Sequence, residues 1–113
     1  MSELTQKHCI PCEGGVPALN QNEVAHLLSK INGWQINDDS QEIFQDFQFK
    51  TYYRTIAFVN AVAWIAQQEK HHPDIEVGYN HCKVRYSTHA VGGLTENDFI
   101  CAAKIDKLLK TNE

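Results

Sequence analysis

Pro73 constrains this chain more than any other residue. A proline donates no backbone hydrogen bond, and it pushes the residue before it out of the helical region. Upstream, Tyr52 to about Lys70 carries apolar side chains at helical spacing; downstream, two short runs alternate apolar and polar residues. The chain must therefore change from helix to sheet within His71-His72-Pro73. His71 is expected to close the last helical turn, and His72 to be extended and to leave in another direction.

The long helix has two faces. Tyr52, Ile56, Val59, Val62, Ala63 and Ala66 form the stripe expected to pack on a sheet. Tyr53, Ala57, Asn60, Trp64, Gln67 and His71 follow one another at three- or four-residue steps on the second face. Trp64 suits a subunit contact or a ligand equally, and Tyr53 suits a contact. Gln67, one turn before His71, is placed to orient its ring.

After Pro73, Ile75, Val77 and Tyr79 alternate as a strand, and Gly78 to His81 makes a connection. Val84, Tyr86 and Thr88 then face one way, with Lys83, Arg85, Ser87 and His89 on the other. Before the long helix, Trp34 to Ile36 and Ile43 to Phe49 read as a hairpin around the polar turn Asn37-Asp-Asp-Ser40. Asn20-Gln-Asn-Glu23 reads as a capping box that opens a helix through Val24, Leu27, Leu28 and Ile31, stopped at Asn32-Gly33. Thr95-Glu-Asn-Asp98 is a second such box. It opens a helix with Asp98, Cys101, Ala102, Ile105, Leu108 and Leu109 on one face and Lys104, Lys107 and Lys110 on a solvated one. The order α-β-β-α-β-β-α predicts an α+β fold, a four-stranded antiparallel sheet with helices packed on one face.

The chain's 113 residues suit one domain, expected over residues 20–113. Pro11, Gly14, Gly15 and Pro17 mark residues 1–19 as an irregular lead-in. Within it, Cys9-Ile-Pro-Cys12 lacks the strand–helix context of a redox motif and the second ligand pair of a zinc site. It is read as a bland segment, with adventitious or intersubunit metal binding as the alternative. Cys82 and Cys101 fall at apolar positions and read as small buried side chains. The net charge of −4 disfavours nucleic acid. No apolar run approaches the ~20 residues of a membrane span, and the first residues lack an apolar signal region, so the expected location is the cytoplasm.

His71, His72 and His89 sit at the ends of predicted elements, where side chains converge on a pocket without disturbing a core. Histidine moves protons near neutral pH. An elimination needs an acid to protonate a leaving hydroxyl and a base to take a proton from the adjacent atom. The helix dipole at its C-terminus favours His71 as imidazolium and acid; His72 or His89 is then the base. Asp98 lies on the apolar stripe of a neighbouring helix while also serving as the acid of a cap. Metal catalysis is the chemical alternative, but adjacent histidines diverge and bind one ion poorly. No serine or cysteine has a motif for nucleophilic catalysis. The site is expected to need no metal and no cofactor.

His71-His-Pro73, Tyr79, Ser87-Thr-His89, Gly93-Leu94 and Asp98, in this order and spacing, resemble the pterin-4a-carbinolamine dehydratase family. The resemblance runs from about Asn20 to the C-terminus. It implies the same α+β fold and removal of water from a 4a-hydroxytetrahydropterin to give quinonoid dihydropterin, which recycles the pterin after aromatic amino-acid hydroxylation. It implies catalytic roles for His71, His72 and His89, and pterin contacts by Trp34, Pro73, Asp74, Ser87, Thr88, Ala90 and Asp98. It also implies a homo-oligomer, dimer or tetramer, and a functional link to an aromatic amino-acid hydroxylase. The chain departs from the family at Gln67 and Lys70, where acids are common; Glu69 or Asp74 could compensate. A second expectation within the same resemblance is a non-catalytic dimerisation or regulatory module, since some animal relatives assist a homeodomain transcription factor.

Overall fold

The computed structural model describes residues 2–10 and 17–111. Four helices, α1 (Ser2–Gln6), α2 (Gln21–Leu28), α3 (Tyr52–Glu69) and α4 (Glu96–Thr111), combine with four strands, β1 (Gln35–Ile36), β2 (Ile43–Gln48), β3 (Asp74–Val77) and β4 (His81–Tyr86). The sheet is antiparallel, in the order β1-β2-β4-β3. The α+β architecture and every predicted strand are present, and β1–β2 is the expected hairpin.

Period-two patterning decides which face is covered. Ile43 and Phe47 of β2 and Cys82, Val84 and Tyr86 of β4 are buried beneath the helices. The opposite face carries charge: Arg85 reaches Glu76 and Glu42, and the Lys83 ammonium lies over the Phe44 ring. His81, expected in the connection, instead begins β4 and donates from Nδ1 to Asp46 Oδ1 at 3.1 Å. The Asn20–Glu23 capping box forms in full. Gly33, at φ 81°, turns the chain from α2 towards β1 in a conformation open to glycine without strain.

Four expectations are corrected. The lead-in is not wholly irregular, because its first residues form α1. Leu4 is buried there, and Lys104 of α4 donates to the Thr5 carbonyl at 3.0 Å. Lys104 therefore does not belong to a solvated face. With α1 against it, α4 is buried on nearly every side from Asn97 to Asp106, not along one stripe. The covered stripe of α3 is also rotated from the predicted one. It comprises Thr55, Phe58, Val62, Ile65, Ala66 and Glu69, while Tyr52, Tyr53 and Trp64 are exposed. Pro11, Gly14, Gly15 and Cys12 lie outside the described residues.

Candidate active site

The helix-to-sheet change occurs slightly earlier than Pro73 alone requires. α3 ends at Glu69, and Lys70 turns into the left-handed region at φ 55°. The His71 N–H then reaches back to the Ala66 carbonyl at 3.1 Å, the bond pattern of a Schellman-type helix end. His71 is thus two residues beyond the helix, not its last turn, and its ring is not stacked over Gln67. Gln67 is exposed.

The partner of His71 is Asp98. A carboxylate can only accept, so His71 Nε2–H donates to Asp98 Oδ1, at 2.6 Å. Asp98 is fully buried and the His71 side chain is 12% exposed. The second Asp98 oxygen accepts from Thr88 Oγ1 at 2.9 Å and from the Thr95 N–H at 3.0 Å. With its proton committed, Thr88 Oγ1 accepts from Thr95 Oγ1 at 2.9 Å. The predicted capping box on α4 is therefore half formed, since the Thr95 hydroxyl serves this chain of bonds. His71 also stacks on Tyr86, with centroids 5.3 Å apart, and the Tyr86 hydroxyl donates to the His71 carbonyl at 3.2 Å. Ring orientation and tautomer are both held, leaving Nδ1 as the nitrogen not committed to Asp98.

The electrostatics follow. Burial pushes the His71 imidazolium towards its neutral form, but the hydrogen bond and charge of Asp98 outweigh it, and its pKa is raised above the ordinary histidine value.

A cavity of about 490 Å³ opens beside this pair. That size suits a small organic ligand. His71, His72, Ser87, Thr88, His89 and Ala90 form one side. Cys9, Ile10, Glu69, Lys70 and Asn97 form the other. All three candidate histidines face the same space. β4 ends at Tyr86, and a single 3-10 turn over His89–Val91, closed by Gly92 at φ 68° and by the Thr88–Gly93 bridge, brings His89 round to it.

Not every expected pterin contact lies there. Trp34 is a core residue: it is buried, packs edge-on against Phe47 and donates from Nε1 to Asp106 Oδ1 at 2.9 Å. Asp98 lies behind His71 and does not line the cavity. Pro73 shapes the chain without lining it, and Asp74 faces a smaller groove of about 240 Å³ beyond Ser87 and His89.

The cavity's second side was not anticipated. Residues 2–10 form a strap that packs on α4 and brings its last two residues, Cys9 and Ile10, to the cavity wall. Glu69 holds the strap by accepting from the Cys9 N–H at 2.7 Å and from His8 Nδ1 at 2.9 Å, with Lys104 Nζ 3.6 Å away. Burial raises the Glu69 pKa, but these donors outweigh it and the net shift is downward. Asn97 clasps Ile10, accepting from its N–H at 3.1 Å and donating to its carbonyl at 2.8 Å. One signal could have revealed Glu69: it falls on the same helical stripe as Val62 and Ile65, so an acid was bound to be buried there and to need donors.

Similarity to known proteins agrees with the architecture. Residues 17–108 match the family model for pterin 4 alpha carbinolamine dehydratase. A relative from Nitrosomonas eutropha, provisionally named pterin-4-alpha-carbinolamine dehydratase, is 58% identical over 95% of this chain and 94% of its own. One from Legionella pneumophila strain Corby, with the same provisional name, is 57% identical over 96% of each chain. A solved transcriptional coactivator/pterin dehydratase from Brucella melitensis superposes with a TM-score of 0.77 at 31% identity, over 80% of this chain and 97% of that one. A pterin dehydratase-like protein described as a RuBisCO assembly factor in the alpha-carboxysome shares the fold, with a TM-score of 0.60 at 24% identity. The match spans the sheet, α2 to α4 and every histidine of the cavity, and on that ground the chain belongs to the pterin 4 alpha carbinolamine dehydratase family.

Proposed function

We propose that this protein is a dehydratase that eliminates water from a 4a-hydroxytetrahydropterin by histidine acid–base catalysis. The observation that carries the reading is the buried His71–Asp98 pair at a cavity that His72 and His89 also line. Asp98 favours the imidazolium, so His71 enters the reaction as the acid and delivers a proton to the leaving hydroxyl as the carbon–oxygen bond breaks. His72 or His89, both exposed, takes the proton from the adjacent ring atom as the new double bond forms. Ser87, Thr88 and Ala90 line the cavity on the side where the pterin ring would lie. The product is water and quinonoid dihydropterin, and the proton left on the base returns to His71 through solvent. A flux of this product fits pterin recycling beside an aromatic amino-acid hydroxylase in the cytoplasm. Among the described residues, no helix is long and apolar enough to cross a membrane.

We also propose that the protein works as a homo-oligomer. Tyr53 is 82% exposed and Trp64 63% exposed along the outer face of α3, a surface that water covers poorly in a monomer. The same face would serve a non-catalytic docking module, which is the second reading. A stopped-flow assay with synthetic 4a-hydroxytetrahydropterin separates the two. Dehydration faster than in buffer supports the enzyme; the buffer rate, with the protein present in excess, supports the module.

A further inference from the structure

The strap places a second reactive group at the cavity. Cys9 Sγ lies 3.7 Å from Cys101 Sγ, and Cys9 lines the cavity whereas Cys101 is fully buried behind it. The two backbones are already in register. Asn97, one turn before Cys101 on the same face of α4, clasps both backbone polar groups of Ile10, the residue after Cys9. The Cys9 N–H is tied in turn to Glu69. A disulfide needs sulfurs about 2.05 Å apart, so closure brings the partly exposed Cys9 sulfur further towards Cys101. Cys82 differs: it is fully buried in the sheet, and burial raises its thiol pKa to about 11.

We propose that Cys9 and Cys101 form an oxidative modification site, at which a peroxide joins the two thiols into an intramolecular disulfide that tethers the strap to α4 across the cavity wall. The chemistry is balanced. A thiolate of the pair attacks one peroxide oxygen and the O–O bond breaks. This gives a sulfenic acid and hydroxide, which takes up the proton the thiol released and leaves as water. The second sulfur, as thiolate, then attacks the sulfenic sulfur and displaces hydroxide, which takes up the second thiol proton. Two thiols and one peroxide become one disulfide and two waters.

The surroundings supply the thiolate. The Cys9 sulfur lies within hydrogen-bond reach of both the Cys101 sulfur, at 3.7 Å, and the Asn97 carbonyl, at 3.6 Å. The Cys9 hydrogen bond, the Tyr86 hydroxyl and the charge of His71 lower the Cys101 pKa despite burial. Cys9 is shifted the other way, by its hydrogen bond with Cys101 and by burial. A thiolate charge is shared between the two neighbouring sulfurs, and Cys9 presents it on the side that peroxide can enter. Tyr86 connects the pair to the proposed acid, since it also bonds and stacks with His71.

The test treats the reduced, folded full chain with hydrogen peroxide, blocks remaining thiols with an alkylating agent and maps tryptic peptides. Trypsin places Cys9 and Cys12 together in His8–Lys30, Cys82 in His71–Lys83 and Cys101 in Tyr86–Lys104. The expected result is a His8–Lys30 peptide linked to Tyr86–Lys104, lighter by two hydrogens than the sum and released by dithiothreitol. Cys9→Ser, a conservative change at a partly exposed site, is expected to abolish the link. A bond confined to His8–Lys30, a covalent dimer, irreversible oxidation of Cys9 with Cys101 still alkylated under denaturant, or a link that persists in Cys9→Ser would each overturn the proposal.

Discussion

Replacing Asp98 with asparagine probes the centre of the site while changing almost no volume. Asp98 accepts three hydrogen bonds at full burial, from His71, Thr88 and Thr95. The asparagine oxygen can keep the Thr88 and Thr95 donors. Its amide then faces His71 Nε2 as a donor, opposing the imidazolium and favouring the tautomer protonated at Nδ1. Breaking a buried ion pair typically costs about 3–5 kcal/mol. Two of three bonds survive here, so the lower end, about 3 kcal/mol, is expected near pH 6, where the imidazolium is present. For a domain of this size that lowers the melting temperature by on the order of 10 °C. The loss should shrink above the His71 pKa, where the wild-type pair is a neutral histidine bonded to a carboxylate. Thermal melts across pH, with an NMR titration of the histidine rings, measure both effects. His71 should titrate lower in Asp98→Asn than in wild type. An unchanged His71 titration, with the fold intact, would refute the assignment of Asp98 as the group that holds the imidazolium.

Three further outcomes are expected. Stability should be greatest between about pH 4.5 and 6.5. The raised His71 contributes below its unfolded value and is lost as pH climbs through its folded one; the lowered Glu69 contributes above its unfolded value and is lost as pH falls through its folded one. Denaturant melts of Glu69→Gln should therefore show a flatter acid limb. Trp34→Phe should cost about 1–3 kcal/mol through the lost bond to Asp106, and isothermal titration should find pterin affinity unchanged. Gln67→Glu should leave the NMR titration of His71 where it is, because the ring is held from the Asp98 side and position 67 points to solvent.

The fold was legible wherever one period and one burial rule act together. The alternation in β2 and β4 set which residues face the helices, and Asn20 with Glu23 marked the start of α2 by local hydrogen bonding alone. The predicted stripe on α3 differs from the covered one because Tyr52 and Ala63 match the apolar period yet stay exposed, while Thr55 and Glu69 are buried by partners distant in sequence. Thr55 Oγ1, besides its local bond to the Thr51 carbonyl, reaches the Tyr79 carbonyl at 3.2 Å, and Glu69 binds the strap. The three histidines converge as their positions at element ends suggest. The Asp98 pairing could be read only as a possibility from a stripe position, since nothing local distinguishes a capping acid from one that also reaches a histidine 27 residues away. Trp34 went astray for the opposite reason: its partner Asp106 lies on α4, and a tryptophan beside a turn carries no local sign of an indole N–H satisfied in the core. The strap was invisible because its ties, Cys9 and His8 to Glu69 and Ile10 to Asn97, are all long-range.

The central claim is that His71, His72 and His89 carry the proton transfers. The direct measurement is the dehydration rate of synthetic 4a-hydroxytetrahydropterin with wild type and with His71→Ala, His72→Ala, His89→Ala and His26→Ala, at protein concentrations where each is shown to be folded. Removal of a positioned acid or base typically costs about 10²–10⁴-fold. Losses in that range are expected for His71→Ala and for at least one of His72→Ala and His89→Ala, with His26→Ala, on exposed α2, at the wild-type rate. A wild-type rate in His71→Ala, or in the variant lacking all three histidines, would contradict it.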